Sequence, residues 1–220
     1  MNKYKCLVLD HDDTVVRSTP TIHYPAFLEA LRVLRPDVKP YTLEEFISYN
    51  FKPGIHSLCS DILGMNDEEL KTEQDIWRQH TKSVIPPLYE GFKELILRFK
   101  DNGGHIAVVS HSEKTVIAKH YLKHFGFVPE LIYGWELEVE KRKPYAFPLE
   151  DIMKRLKLDP SELLMVDDLK PGLDMAKKCC VDFAAAGWSH IIEEIVTYMK
   201  DNSEYYFDDI TGLSELIFDH

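Results

Sequence analysis

The chain holds 220 residues, 45% of them apolar, with 26 Lys plus Arg against 37 Asp plus Glu and a formal net charge of -11. That length supports one good-sized domain, or one domain with a small insertion. The acidic balance argues against nucleic acid or an anionic membrane as a partner of the whole surface, yet leaves room for a small anionic ligand at a locally positive site.

The N-terminus, "MNKYKCLVLDHDD", reads as no signal peptide, because its apolar run is short and ends in acid. The run "KCLVL" predicts a buried strand that stops at Asp10. Directly behind it, Asp10, Asp12 and Asp13 crowd three carboxylates into four positions. Like charges this close repel, so the site needs a counter-charge.

Residues 18–86 break the strand pattern. "YPAFLEALRVL", "TLEEFISYNF", "GIHSLCSDILGM" and "NDEELKTEQDIWRQHTKSVI" all read as helices. Thr42 with Glu45 has capping-box spacing, as does Asn66 with Glu69 in a looser form. A long helical crossover is one reading of this stretch. A small inserted domain is the better one, since about seventy residues is far more than a crossover needs. "VIPPLYEG" looks like the return linker.

The alternation then resumes. "LYEGFKELILRFKDNGG" is a helix stopped by Gly103 and Gly104, and "HIAVV" a strand ending at Ser110. "SEKTVIAKHYLKHFGF" is a helix that Ser112 can cap, followed by a weak strand at 130–133. "PLEDIMKRLKL" and "PGLDMAKKCC" are helices with Pro near their starts. Between them "ELLMV" is a strand ending at Asp167 and Asp168, and a last weak strand covers 181–186. This order predicts an α/β fold, a doubly wound parallel sheet of Rossmann-like kind carrying an inserted α-helical domain. The expected boundaries are 1–17 with 87–220 for the α/β core and 18–86 for the helical insertion. No run of about 18 apolar residues occurs, so no membrane span is expected. Cys6, Cys59, Cys179 and Cys180 form no CxxC pair, which suits a reduced, cytoplasmic protein.

In open α/β sheets, ligands bind beyond the carboxyl ends of the strands. Three predicted strands deliver polar side chains to that edge: Asp10, Ser110, and Asp167 with Asp168. Asp10 and Asp12 face the same way while the chain stays extended. Acids clustered at a strand end suit Mg²⁺, which takes one or two carboxylates plus waters and phosphate oxygens. The Asp167-Asp168 pair can also be read as a helix cap, but beside the Asp10 cluster the metal reading prevails. Ser110 is either an ordinary cap or an anion contact at a helix start. Lys143, within Lys141-Arg142-Lys143, is either solvated surface or the missing counter-charge.

These residues carry a resemblance. "LVLDHDDT" resembles the first signature of the haloacid dehalogenase (HAD) superfamily, and "IAVVSHS" the second. "KPYAFPLEDIMKRLKLDPSELLMVDD", from Lys143 onward, resembles the third running into the fourth. The helical insertion, "RSTPTIHYPAF" and the tail "SEYYFDDITGLSELI" are similar to the helical-cap branch that includes phosphoglycolate phosphatase and β-phosphoglucomutase.

The resemblance implies a Mg²⁺-dependent phosphatase of a small phosphorylated metabolite. Asp10 would be the nucleophile and Asp12 the general acid and base. The metal would be held by Asp10, the backbone carbonyl of Asp12, and Asp168, with Asp167 directly or nearby. Ser110 and Lys143 would hold the phosphate, and Thr14 would support the loop. A phosphomutase, or a non-catalytic ligand-binding relative, are the alternatives. No nucleic-acid or membrane partner is expected, and the protein should be a monomer or weak homodimer. Asp13 stands where this branch usually has Gly, and Asp tolerates left-handed backbone better than most residues. His11 and His111 could touch phosphate. In the cap, His23, Lys52, His56, Arg78 and His80 are candidates for substrate selection.

Overall fold

The computed structural model describes residues 2–218. Six strands form one parallel sheet: β1 (Cys6–Leu9), β2 (His105–Val109), β3 (Leu131–Tyr133), β4 (Leu163–Asp167), β5 (Asp182–Ala186) and β6 (Tyr205–Phe207). Their order is β3-β2-β1-β4-β5-β6, every neighbour running parallel. β1 and β4 are fully buried, which explains their unbroken apolar character. The order reverses between β1 and β4, where open sheets of this kind part to receive ligands. The fold class is α/β, as expected.

The chain separates into two compact units, residues 1–16 with 88–220 and residues 17–87. The second unit is helical: α1 (Tyr24–Leu34), α2 (Leu43–Phe51), α3 (Ile55–Ser57) and α4 (Asp67–Ser83). Thr42 and Asn66 both close the expected capping boxes, with Glu45 and Glu69 reaching back. "GIHSLCSDILGM" is not one helix: α3 is a single turn that widens into π-helix over Leu58–Ile62. Phe27, Leu31, Phe46, Leu58, Cys59 and Met65 make this unit's core, with Phe27 and Phe46 rings 4.8 Å apart. α1 packs on α4.

The α/β unit carries α5 (Phe92–Asp101), α6 (Lys114–Phe125), α7 (Phe147–Leu156), α8 (Lys170–Cys179), α9 (Glu193–Asn202) and α10 (Ile210–Ile217). Its core gathers Leu7, Leu9, Phe92, Ile96, Phe99, Ile117 and Tyr121 around the central strands. The connecting segments run side by side: Val16 bridges Leu88, and Arg17 N–H donates to the Pro87 carbonyl at 2.9 Å. One expected detail changes. α6 starts at Lys114 with Glu113 at its N-cap, so Ser112 does not cap it. The sequence pattern also gave no sign of β6, whose three residues are all half-buried. No described helix is long and apolar enough to cross a membrane. All four cysteines are free thiols.

Candidate active site

Each central strand ends on a polar residue, and the parallel register brings these ends to one edge. Leu9 pairs with Val108 and with Val166, so β1 stops one residue short of β2 and β4 at the same edge of the sheet. Asp10 N–H extends the ladder to the Val166 carbonyl at 2.9 Å, and Ser110 N–H donates to the Tyr133 carbonyl at 3.0 Å. Backbone hydrogen bonds thus fix Asp10 and Ser110 before their side chains act.

After Asp10 the chain turns sharply. The His11 carbonyl accepts from both Val15 and Val16 N–H, and Asp13 takes a left-handed conformation with φ of +55°. The expectation that Asp could fill the usual Gly position holds in the backbone. The turn sends Thr14 back toward β4, where its hydroxyl donates to Asp168 Oδ1 at 3.3 Å.

Lys143 joins the acids. Its ammonium donates to Asp10 Oδ1 at 2.6 Å and to Asp167 Oδ2 at 2.7 Å, with all three residues buried. The basic stretch therefore yields one buried counter-charge rather than three surface ones. Burial, with Asp167, Asp168 and Asp12 nearby, pushes Asp10 above the usual carboxylate range, while Lys143 pulls it back. Burial and Asp168 likewise raise Asp167 to about 6 against the pull of Lys143. For Lys143, burial works against the charge, but Asp10 and Asp167 outweigh it and hold the ammonium charged.

Asp167 is anchored from two sides. Its Oδ1 accepts from Leu169 N–H at 2.9 Å. Its Oδ2 lies so close to α8 that a Cβ at Gly172 would stand 2.2 Å away. The Asp167-Asp168 pair does not supply the N-cap of α8, a place taken by Leu169. Asp10, Asp167 and Asp168 can each offer one oxygen within 4.8 Å of the others. Three buried carboxylates with one ammonium leave net negative charge in a dry place, and their hard oxygens are the donors Mg²⁺ takes. The residues present fit that ion.

Asp12 is half-buried and faces β2, where Ser112 Oγ donates to its Oδ2 and Ser110 Oγ stands 3.5 Å from the same atom. Ser112 was expected to cap a helix, and its contact with Asp12 had no signal in the spacing. His190 was missed as well: its Nε2 donates to Asp168 Oδ2 at 2.6 Å, from the loop after β5. Burial opposes a charge on His190, but Asp168, with Asp13 and Asp167 behind it, raises its pKa above the ordinary value.

The other histidines divide. His11 points into the core, where its Nε2 meets His120 Nδ1 at 2.9 Å, so its side chain is withdrawn from the cluster of acids at the strand ends. His111 Nε2 donates to the Lys143 carbonyl at 3.0 Å, fixing the backbone that presents the lysine. Within the helical unit, His23 accepts from Trp77 Nε1 at 2.8 Å, His80 pairs with Glu29 at 2.7 Å and Arg78 with Asp75 at 3.6 Å; Lys52 and His56 are exposed.

The family model described as haloacid dehalogenase-like hydrolase matches residues 7–186. Pyrophosphatase PpaX of Bacillus cereus (strain Q1) is 24% identical over 188 residues, covering 85% of each chain. Phosphoglycolate phosphatase of Vibrio vulnificus (strain CMCP6) is 24% identical over 197 residues, 84% of this chain and 86% of that one. The crystal structure of a protein described as a predicted phosphoglycolate phosphatase from Haemophilus somnus 129PT superposes with a TM-score of 0.80 at 17% identity, covering 98% of this chain and 99% of that one.

Proposed function

The chain belongs to the haloacid dehalogenase-like hydrolase family, and we propose that it is a Mg²⁺-dependent phosphatase that hydrolyses a small phosphorylated metabolite through an aspartyl-phosphate on Asp10. One observation carries the reading: the Lys143 ammonium lies within 2.7 Å of both Asp10 and Asp167, at the switch point where β1 and β4 part. The names of the similar proteins, a pyrophosphatase and a phosphoglycolate phosphatase, support the chemical class.

Asp10 attacks phosphorus with a carboxylate oxygen, forming an acyl phosphate as the bond to the leaving oxygen breaks. Asp12 gives its proton to that oxygen, then takes one from the water that hydrolyses the acyl phosphate. Its half-buried position beside Ser112 suits a group that must exchange protons and still keep one orientation. Ser110 and Lys143 hold phosphoryl oxygens, so catalysis rests mostly on positioning and fixed charge. Asp10, the Asp12 backbone carbonyl and Asp168, with Asp167 beside them, would hold Mg²⁺, which supplies charge neutralisation on the phosphoryl oxygens when bound. We place the helical unit, residues 17–87, as the cap that selects the substrate. The expected surroundings are cytoplasmic.

Purified protein should hydrolyse a generic aryl phosphate with Mg²⁺. Asp10→Asn should remove this by several orders of magnitude, and Asp12→Asn should cost about 10²–10⁴-fold. Activity that survives both EDTA and Asp10→Asn overturns the mechanism. A panel of phosphorylated metabolites then finds the substrate, and isomerisation of a sugar phosphate in place of hydrolysis would replace this reading with a mutase.

A further inference from the structure

Asp168 is held from both sides by groups outside the acidic cluster. His190 Nε2 donates to its Oδ2 at 2.6 Å, and Thr14 Oγ1 donates to its Oδ1 at 3.3 Å. The same loop after β5 also steadies Thr14, because Trp188 Nε1 donates to the Thr14 carbonyl at 3.1 Å. Two residues of that loop therefore converge on one carboxylate, His190 directly and Trp188 through Thr14. The His190 side chain is only 7% exposed, and its Nδ1 has no hydrogen-bond partner among the described residues. An orphaned buried nitrogen is costly, and an apolar side chain would fill the same space without that cost. The ring is thus placed for the sake of its Nε2. Since a carboxylate can only accept, Nε2 carries the proton.

We propose that His190 is a positioning residue for the metal centre: its Nε2–H orients the Asp168 carboxylate and so sets the affinity of the site for a divalent cation. The inference rests on the metal-dependent reading above. Carboxylates that ligate metals are themselves held by hydrogen bonds, and removal of such a partner weakens metal affinity by about 10–100-fold. Here the partner comes from a loop with no reacting group of its own. None of the residues assigned to the chemical step lies on this loop, so the loss should fall on metal occupancy and not on the chemical step.

The test is Mg²⁺ binding to the full-length protein by titration calorimetry at one neutral pH, for wild type, His190→Ala and His190→Gln. His190→Ala should bind Mg²⁺ about 10–100-fold more weakly. His190→Gln, which keeps an N–H donor near the Nε2 position, should recover most of that loss. The Mg²⁺ concentration for half-maximal aryl phosphate turnover should rise by the same factor in His190→Ala, with kcat at saturating Mg²⁺ close to wild type. Unchanged Mg²⁺ affinity in His190→Ala overturns the inference, and so does an equal loss in both variants. Failure of the wild-type protein itself to bind Mg²⁺ would overturn the metal-dependent reading and carry the inference down with it.

Discussion

Asp13 stands one residue beyond Asp12, and it is the chain's turn that it serves. With φ of +55° it occupies backbone space that costs an ordinary L-residue roughly 1–2 kcal/mol and that Asp enters more easily than most. Asp13→Gly should therefore leave stability unchanged or raise it. Asp13→Val, branched at Cβ, should lower it by about 1–2 kcal/mol, as read from the urea midpoint of each variant. The position was conspicuous in the sequence because the branch that the chain resembles usually has Gly there. Asp10, Ser110, Asp167 and Asp168 were legible for a physical reason: buried strands are apolar runs, and whatever ends such a run lands on the sheet edge. Lys143 could be singled out, but not its double contact. Ser112 and His190 were not legible. Their partners, Asp12 and Asp168, lie on other strands' ends, and no local periodicity records an encounter made by tertiary folding.

At the scale of elements, the helical unit shows how one side chain can join several. Arg35, just past α1, donates to the Leu34, Leu63 and Gly64 carbonyls and grips both oxygens of Glu69 at 2.6 and 2.9 Å. Glu69 in turn closes the capping box of α4 by accepting from Asn66 N–H at 3.0 Å. The end of α1, the turn at 63–64 and the start of α4 thus meet on a single ion pair. The Arg35 hydrogen bonds, then that from Asn66, lower Glu69 from the usual 4.5 to about 2. Because the folded value lies below the unfolded one, this stabilisation is whole above about pH 4.5 and drains as pH falls toward 2. Helical circular dichroism should therefore melt at progressively lower temperature across that window, and Glu69→Gln should flatten the dependence there. The capping boxes were readable from spacing alone, since they are local. Arg35 was not, because its grip on Glu69 spans 34 positions.

For the whole molecule, the two units keep separate apolar cores, one around Phe99 and Tyr121 and the other around Phe27 and Phe46, with no residue in common. The ends of the helical unit leave the α/β unit at adjacent points, through the Val16–Leu88 bridge and the Arg17–Pro87 hydrogen bond. Replacing residues 18–86 with a short Gly/Ser linker should accordingly leave a chain that still unfolds cooperatively in urea with the circular dichroism of a parallel α/β sheet. A shallow, non-cooperative transition would show that the cores depend on each other. The same bridge bears on the order of folding. β1 must find β2 across the whole insertion, Cys6 opposite His105. Closing a loop costs entropy that grows with its length, slowly but at once. A helical unit that forms early draws residues 16 and 88 together and shortens that search from about a hundred residues to about thirty, a saving on the order of 1 kcal/mol. The insertion would then be a splint: it holds the two central strands' ends near one another while the sheet is still being assembled.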